Sequence, residues 1–187
     1  MLCRLRFSSG FRVWPEAWYR CRTPTRRPLC LACNGGRGMS QFFSIHPETP
    51  QGRLINQAVE ILQSGGVIAY PTDSAYALGC RLDNKSGAER IKQIRKLEDD
   101  HNFTLVCQDL SELSRYARVD NAAYRQIKHS TPGPYTFIFE ASKEVPRRLM
   151  NPKRKTIGLR VPDNAIAQAL LQDLGEPLMS VTLYCWR

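Results

Sequence analysis

The stretch Val67–Cys80, VIAYPTDSAYALGC, starts as an apolar, strand-like run, breaks at Pro71, and sets Thr72, Asp73, Ser74 and Tyr76 in a short polar loop that closes on Gly79. A residue before proline is held extended, and the turn-forming residues after it reverse the chain. Hydroxyls and a carboxylate presented in this way at a strand end can cradle a polar substrate, or they can form a turn and nothing more. Three other stretches pose the same choice. STPGPYTF, Ser130–Phe137, brackets Gly133 with two prolines and stiffens the entry to a strand. KQIRKLEDDHNF carries Lys92, Arg95 and Lys96 along a helix into an acidic turn, where i to i+4 pairing is the simpler reading. The run Lys143, Arg147, Arg148, Lys153, Arg154, Lys155 and Arg160 meets a single acid, Glu144. Such a run suits a nucleic-acid phosphate backbone as well as a solvated face.

The familiar catalytic vocabularies are absent. No GxGxxG follows a strand pattern, and neither GxxxxGKS nor GxxxxGKT occurs, so the standard phosphate loops are missing. There is no GxSxG elbow, and His46, His101 and His129 lack metal-ligand spacing. Cys30-Leu31-Ala32-Cys33 is a lone CxxC without a second pair, so no metal site is expected. Cys80 and Cys107 lie in apolar surroundings and read as buried thiols in a reducing compartment rather than as nucleophiles or disulfide partners.

The elements that must hold these loops alternate in type. RLINQAVEILQSGG places Leu54, Ile55, Ala58, Val59 and Leu62 on one helical stripe closed by Gly65-Gly66. A strand follows at Val67–Tyr70, then a helix in GAERIKQIRKL, a strand in FTLVC, and helices near Leu110–Ala117 and Ala122–Lys128. YTFIFEA and TIGLRV read as strands, AIAQALLQDLG as a helix ended by Gly175, and PLMSVTL as a last strand. This order predicts a single α/β layered domain with a largely covered sheet.

Composition narrows the partners. The chain has 187 residues and a net charge of +10, but residues 1–38 hold eight Arg against Glu16 and supply +7 of it, leaving 19 basic and 16 acidic residues after them. That Arg- and Cys-rich leader carries neither an amphipathic pattern nor a signal-type apolar core, and it is expected to be an extension or a mis-set start outside the domain of residues 39–187. No apolar run approaches a membrane span, so a cytoplasmic protein without membrane contact is expected. The strand pattern reaching Leu183 is followed at once by YCWR, which gives the expectation of a domain incomplete at its C-terminus.

In this order and spacing, GGVIAYPTDSAYALGC, a helix ending in a basic pair, TPGPYTFIF, TIGLRVP and LGEPLMSVT together resemble the YrdC-like family. NFTLVCQDLSEL, KEVPRRL and KRKTIGLRVP are most similar to its YciO branch. The resemblance runs from Met39 to about Leu183. It implies a twisted mixed α/β sheet with a large, positively charged concave face. Well-known members make threonylcarbamoyl-adenylate from L-threonine, bicarbonate and ATP, usually with Mg²⁺, for tRNA modification, and the family is described as binding double-stranded RNA. That reaction needs no protein nucleophile, because a carbamate formed on threonine attacks the α-phosphate and pyrophosphate leaves; positioning and cations suffice.

Carried over by position, the resemblance assigns Thr72, Thr136, Ser180 and Thr182 to substrate, Arg95 and Arg160 to nucleotide, and Arg147, Arg148, Lys153, Arg154 and Lys155 to RNA. The synthase hallmark, a KxR with a distant SxN, is altered: its Lys falls on Arg95, its Arg on Leu97, its Ser on Thr182 and its Asn on Tyr184. A donor fork able to clamp phosphate has become an alkyl chain at Leu97. The expected function is therefore a nucleotide- and RNA-binding protein, of double-stranded RNA or tRNA. The alternative is an active L-threonylcarbamoyladenylate synthase, a nucleotidyltransferase using L-threonine and ATP.

Overall fold

The computed structural model describes residues 40–97, 101–151 and 153–183, so the leader and Tyr184 lie outside the described residues. The first helix, α1 (Gly52–Gln63), buries Ile55, Ala58, Val59 and Leu62 along the predicted stripe, and Gly65 adopts the left-handed backbone just past its end. Strands β1 (Ile68–Pro71) and β2 (Tyr76–Arg81) form an antiparallel pair around the polar loop. Helix α2 (Lys85–Arg95) is capped by Asn84, whose side chain accepts from the Gly87 N–H, and it ends where Lys96 turns left-handed. Then come β3 (Thr104–Val106), α3 (Leu110–Tyr116), β4 (Ala117–Arg118), α4 (Asn121–Ser130) and β5 (Phe137–Ala141). A short 3-10 turn at Arg147–Leu149 leads to β6 (Thr156–Arg160), α5 (Ala165–Leu174) and β7 (Leu178–Thr182).

The seven strands make one sheet in the order β1-β2-β7-β3-β6-β5-β4. It is mixed, as expected: β3 and β6 run parallel, and the other pairs are antiparallel. Successive side chains of a strand point to opposite faces, and here the two faces have different fates. On one, Leu78, Cys80, Leu105, Ile157, Leu159, Met179 and Val181 join Ala88 and Ile91 of α2, Leu113 and Tyr116 of α3 and Ile127 of α4 in a single core. On the other, Ile68, Tyr70, Ala77, Val106 and Leu178 pack with α1 and with Ile166, Ala167, Leu170 and Leu171 of α5.

The sheet is largely covered, as expected, but this second face is covered only in part. Two helices side by side cover about 20 Å, whereas six inter-strand gaps extend about 29 Å. The cover therefore stops short of β5 and β6, where Ile138 is 59% exposed. Two strands also escape the sequence pattern. β2 begins inside a segment that reads as polar loop, and β4 takes the last residue of what reads as a helix. The thiols of Cys80 and Cys107 are free and buried, as expected, and burial pushes Cys80 up to about 12 and Cys107 higher still, so both remain unreactive thiols near neutral pH.

One close approach stitches β1 to β7 across β2. A Cβ on Gly79 would lie 2.9 Å from Cε1 of Tyr70, whose ring passes over this glycine. Gly79→Ala should displace the ring and destabilise the fold by about 1–3 kcal/mol, as overpacking of a close-packed interior does. Urea denaturation monitored by circular dichroism checks this, and an unchanged midpoint would show that the ring has room to move.

Candidate functional site

The polar loop between β1 and β2 folds on the side chain of its first residue. Thr72 Oγ1 donates to the Ala75 carbonyl at 2.6 Å and lies 3.4 Å and 3.3 Å from the N–H groups of Ser74 and Ala75, while the Thr72 N–H reaches the same carbonyl at 3.1 Å. With its hydroxyl holding the turn together, Thr72 projects the next two residues outward. Asp73 Oδ1 pairs with Nη2 of Arg160, and the same nitrogen donates to Ser74 Oγ at 2.9 Å. Arg160 is the last residue of β6, so this contact joins the loop beside the edge strand β1 to a strand that lies beyond β2, β7 and β3. Both partners are 11% exposed. Nε of Arg160 is buried with no acceptor among the described residues.

Beneath the loop, on the open part of the second face, lies a pocket lined by Thr72, Ala75, Tyr76, Ala77, Thr104, Val106, Thr136, Arg160, Ser180 and Thr182. Strand alternation explains the set. Thr104 stands opposite both Ser180 and Gly158, Ala77 opposite Thr182, and Val106 opposite Arg160, all projecting away from the main core. Gly158 keeps the floor low, since a Cβ there would come within 2.9 Å of Thr104 Oγ1 and 3.1 Å of Thr136 Cγ2. Six hydroxyl side chains and one guanidinium make a polar site, and among the described residues Arg160 is the only charged one lining it. Such a surface can hold an oxygen-rich anion by many hydrogen bonds around one fixed cation.

Five residues named from the sequence thus converge on one pocket: Thr72, Thr136, Arg160, Ser180 and Thr182. Arg95 does not line it. Its helix packs on the other face of the sheet, where Arg95 is 8% exposed and Leu97 packs against the main core. Arg147, Arg148, Lys153, Arg154 and Lys155 are exposed on the connection between β5 and β6, at the opposite end of β6 from Arg160, about 13 Å along the strand. There Arg148 donates to the Leu82 carbonyl at 2.8 Å, and Asn151 Oδ1 accepts from the N–H groups of Lys153 and Arg154 at 3.0 Å. The sequence reading missed Thr104 and Val106, although the period-two pattern of FTLVC already sets both on the side away from Leu105, and it had Tyr76 in the loop offered as a cradle. It offered Asp73 as a carboxylate of that cradle and did not foresee its pairing with Arg160.

The site's chemistry limits what it can hold. Among the described residues no three His, Cys, Asp or Glu side chains come together as a metal site. Asp73, in the loop beside the pocket, already faces Arg160 and the Asp163 N–H at 3.5 Å. A hard cation takes its oxygen ligands mainly from carboxylates and phosphates, so the residues present do not fit a Mg²⁺ ion held by the protein itself.

An α/β domain with a hydroxyl-lined pocket on the open face of a mixed sheet is the class that fold and site define. The family model Sua5/YciO/YrdC, described as telomere recombination, matches residues 60–183, and the chain belongs to this family. It is 71% identical to an uncharacterized protein of Haemophilus influenzae and 66% identical to YciO of Escherichia coli, in each case over 78% of this chain and 70% of the relative. It is 32% identical to a threonylcarbamoyl-AMP synthase of Vibrio vulnificus, over 68% of this chain and 70% of that one. The crystal structure of E. coli YciO superposes with a TM-score of 0.76 over 78% of this chain and 70% of that one. The P. abyssi Sua5 structure complexed with L-threonine, 24% identical, shares the fold at a TM-score of 0.67 over 72% of this chain and 39% of that one. No helix among the described residues is long and apolar enough to cross a membrane.

The Asp73–Arg160 pair is open to a direct test. Removing one member of a buried pair strands the other charge, so Arg160→Ala should cost about 3–5 kcal/mol. Asp73→Ala combined with Arg160→Ala should cost clearly less than the sum of the single changes. Strictly additive losses in urea denaturation would mean that the two side chains are not coupled.

Proposed function

We propose that this chain is a nucleotide- and RNA-binding member of its family, taking ATP in the hydroxyl-lined pocket and double-stranded RNA or tRNA along the basic run, in the cytoplasm. The observation that carries the nucleotide reading is the fixed guanidinium of Arg160. Asp73 and Ser74 hold it at the pocket wall, and its buried Nε–H lacks an acceptor among the described residues. Mg²⁺ would arrive with the triphosphate rather than wait on protein carboxylates. The RNA reading rests on five exposed cations gathered in one connection, far enough from the pocket for both ligands to bind together.

Leu97 packs against apolar core, so no guanidinium fork occupies that position, and adenylate formation is proposed to be weak. The alternative, an active synthase using L-threonine, bicarbonate and ATP, is favoured by the convergence of Thr72, Thr136, Arg160, Ser180 and Thr182 on one pocket and by the 32% identity to the V. vulnificus synthase. Pyrophosphate release with L-threonine, bicarbonate and ATP separates the two readings. Steady turnover would establish the synthase, and its absence beside measurable ATP binding supports the binding protein.

Calorimetric titration tests the pocket with Arg160→Lys, which keeps a charge for Asp73 but loses the planar fork. ATP affinity should fall at least tenfold, about 1.4 kcal/mol, and unchanged affinity would take ATP out of the pocket. For the basic run, changing Lys153, Arg154 and Lys155 together to Ala should weaken RNA binding alike across sequences. The log K against log salt slope should shrink by about 0.7–0.9 for each phosphate no longer neutralised, and an unchanged slope would leave the run a solvated face.

A further inference from the structure

Tyr70 and Ser180 are joined through the floor of the pocket. Tyr70 stands on β1 opposite Ala77, and Ser180 stands on β7 opposite Gly79, with β2 between them. The phenol crosses that gap over the bare backbone of Gly79 and donates to Ser180 Oγ at 2.9 Å. Tyr70 is 2% exposed and Ser180 5%, yet Ser180 still borders the pocket. A serine hydroxyl has one proton and two acceptor lone pairs. With one lone pair taken by Tyr70, and with no other hydrogen bond of Ser180 Oγ among the described residues, the serine proton is left to point into the pocket. Thr72 differs, because its proton goes to the Ala75 carbonyl.

We infer that Tyr70 is a positioning residue that orients the Ser180 hydroxyl as a donor toward an anionic oxygen of the pocket's ligand. This rests on the reading of the pocket as a ligand site and adds the chemistry that one wall of it selects. Such a donor suits a phosphoryl or carboxylate oxygen better than an ammonium or amide N–H, for which the serine keeps only its second lone pair. Burial pushes the Tyr70 phenol up to about 12, although Ser180 and Arg160 pull it the other way, so it remains a proton donor across the neutral range.

The test is calorimetric titration of the full chain with ATP and, separately, with L-threonine, using wild type, Ser180→Ala, Tyr70→Phe and the double variant, each with its melting temperature. On the ligand whose oxygen meets Ser180, each single change should weaken binding about three- to tenfold, and the double change no more than Ser180→Ala alone. Stability should follow a different course. Ser180→Ala strands a buried phenol and lowers the melting temperature, and adding Tyr70→Phe restores it without restoring affinity. Loss for ATP assigns a phosphoryl oxygen, and loss for L-threonine a carboxylate. Wild-type affinity of Tyr70→Phe for both ligands would overturn the inference alone, as would losses that multiply in the double variant or affinity that returns with stability. A wild-type chain that binds neither ligand would overturn the pocket reading and this inference together.

Discussion

The buried contact between Asp73 and Arg160 is the constraint on which the site depends. Together with the Arg160–Ser74 hydrogen bond, it ties the loop after β1 to β6 across three intervening strands and fixes a cation at the pocket wall. The ion pair also explains why a site with a guanidinium need not be strongly positive. Asp73 balances the charge while leaving part of the fork unused, so the site offers directed donors more than bulk field. Burying two charges is costly, and the arrangement is tolerable because Ser74 and the Asp163 N–H add hydrogen bonds around them.

The sheet supplies the second half of the logic. Alternation sends Leu105, Ile157, Leu159, Met179 and Val181 into the main core, and by the same pleat leaves Thr104, Gly158, Arg160, Ser180 and Thr182 on the face that α1 and α5 only partly cover. The pocket is thus the place where helical cover ends. Its position follows from the width of two helices against seven strands.

Much of this was legible in the residues. The stripe of α1, the glycine stops at Gly65 and Gly175, and the runs that become β3, β5, β6 and β7 stand out by period and punctuation. β2 did not, because Pro71 and three polar residues look like the end of a strand, and only pairing with β1 and β7 makes Tyr76–Arg81 regular. The family resemblance brought together Thr72, Thr136, Arg160, Ser180 and Thr182, positions more than a hundred residues apart at the extremes. It could not show that Asp73 fixes Arg160 or that Tyr70 underlies Ser180. Those are contacts between strands distant in sequence, and no local pattern records them. Arg95 shows the converse limit, since a motif position can keep its cation while its helix packs on the face away from the pocket.

The two outer strands differ from the rest in a way that bears on how molecules of this chain meet one another. β4 is two residues long and carries Arg118, whose guanidinium lies 3.5 Å from Glu140 of β5, and β1 ends in Pro71, which has no N–H to offer. Short length, charge and proline each spoil an edge as a template for a further strand. Copies crowded together therefore find little invitation to lengthen the sheet into a shared one, and the domain can keep one face of its sheet open without exposing an edge that would drive aggregation.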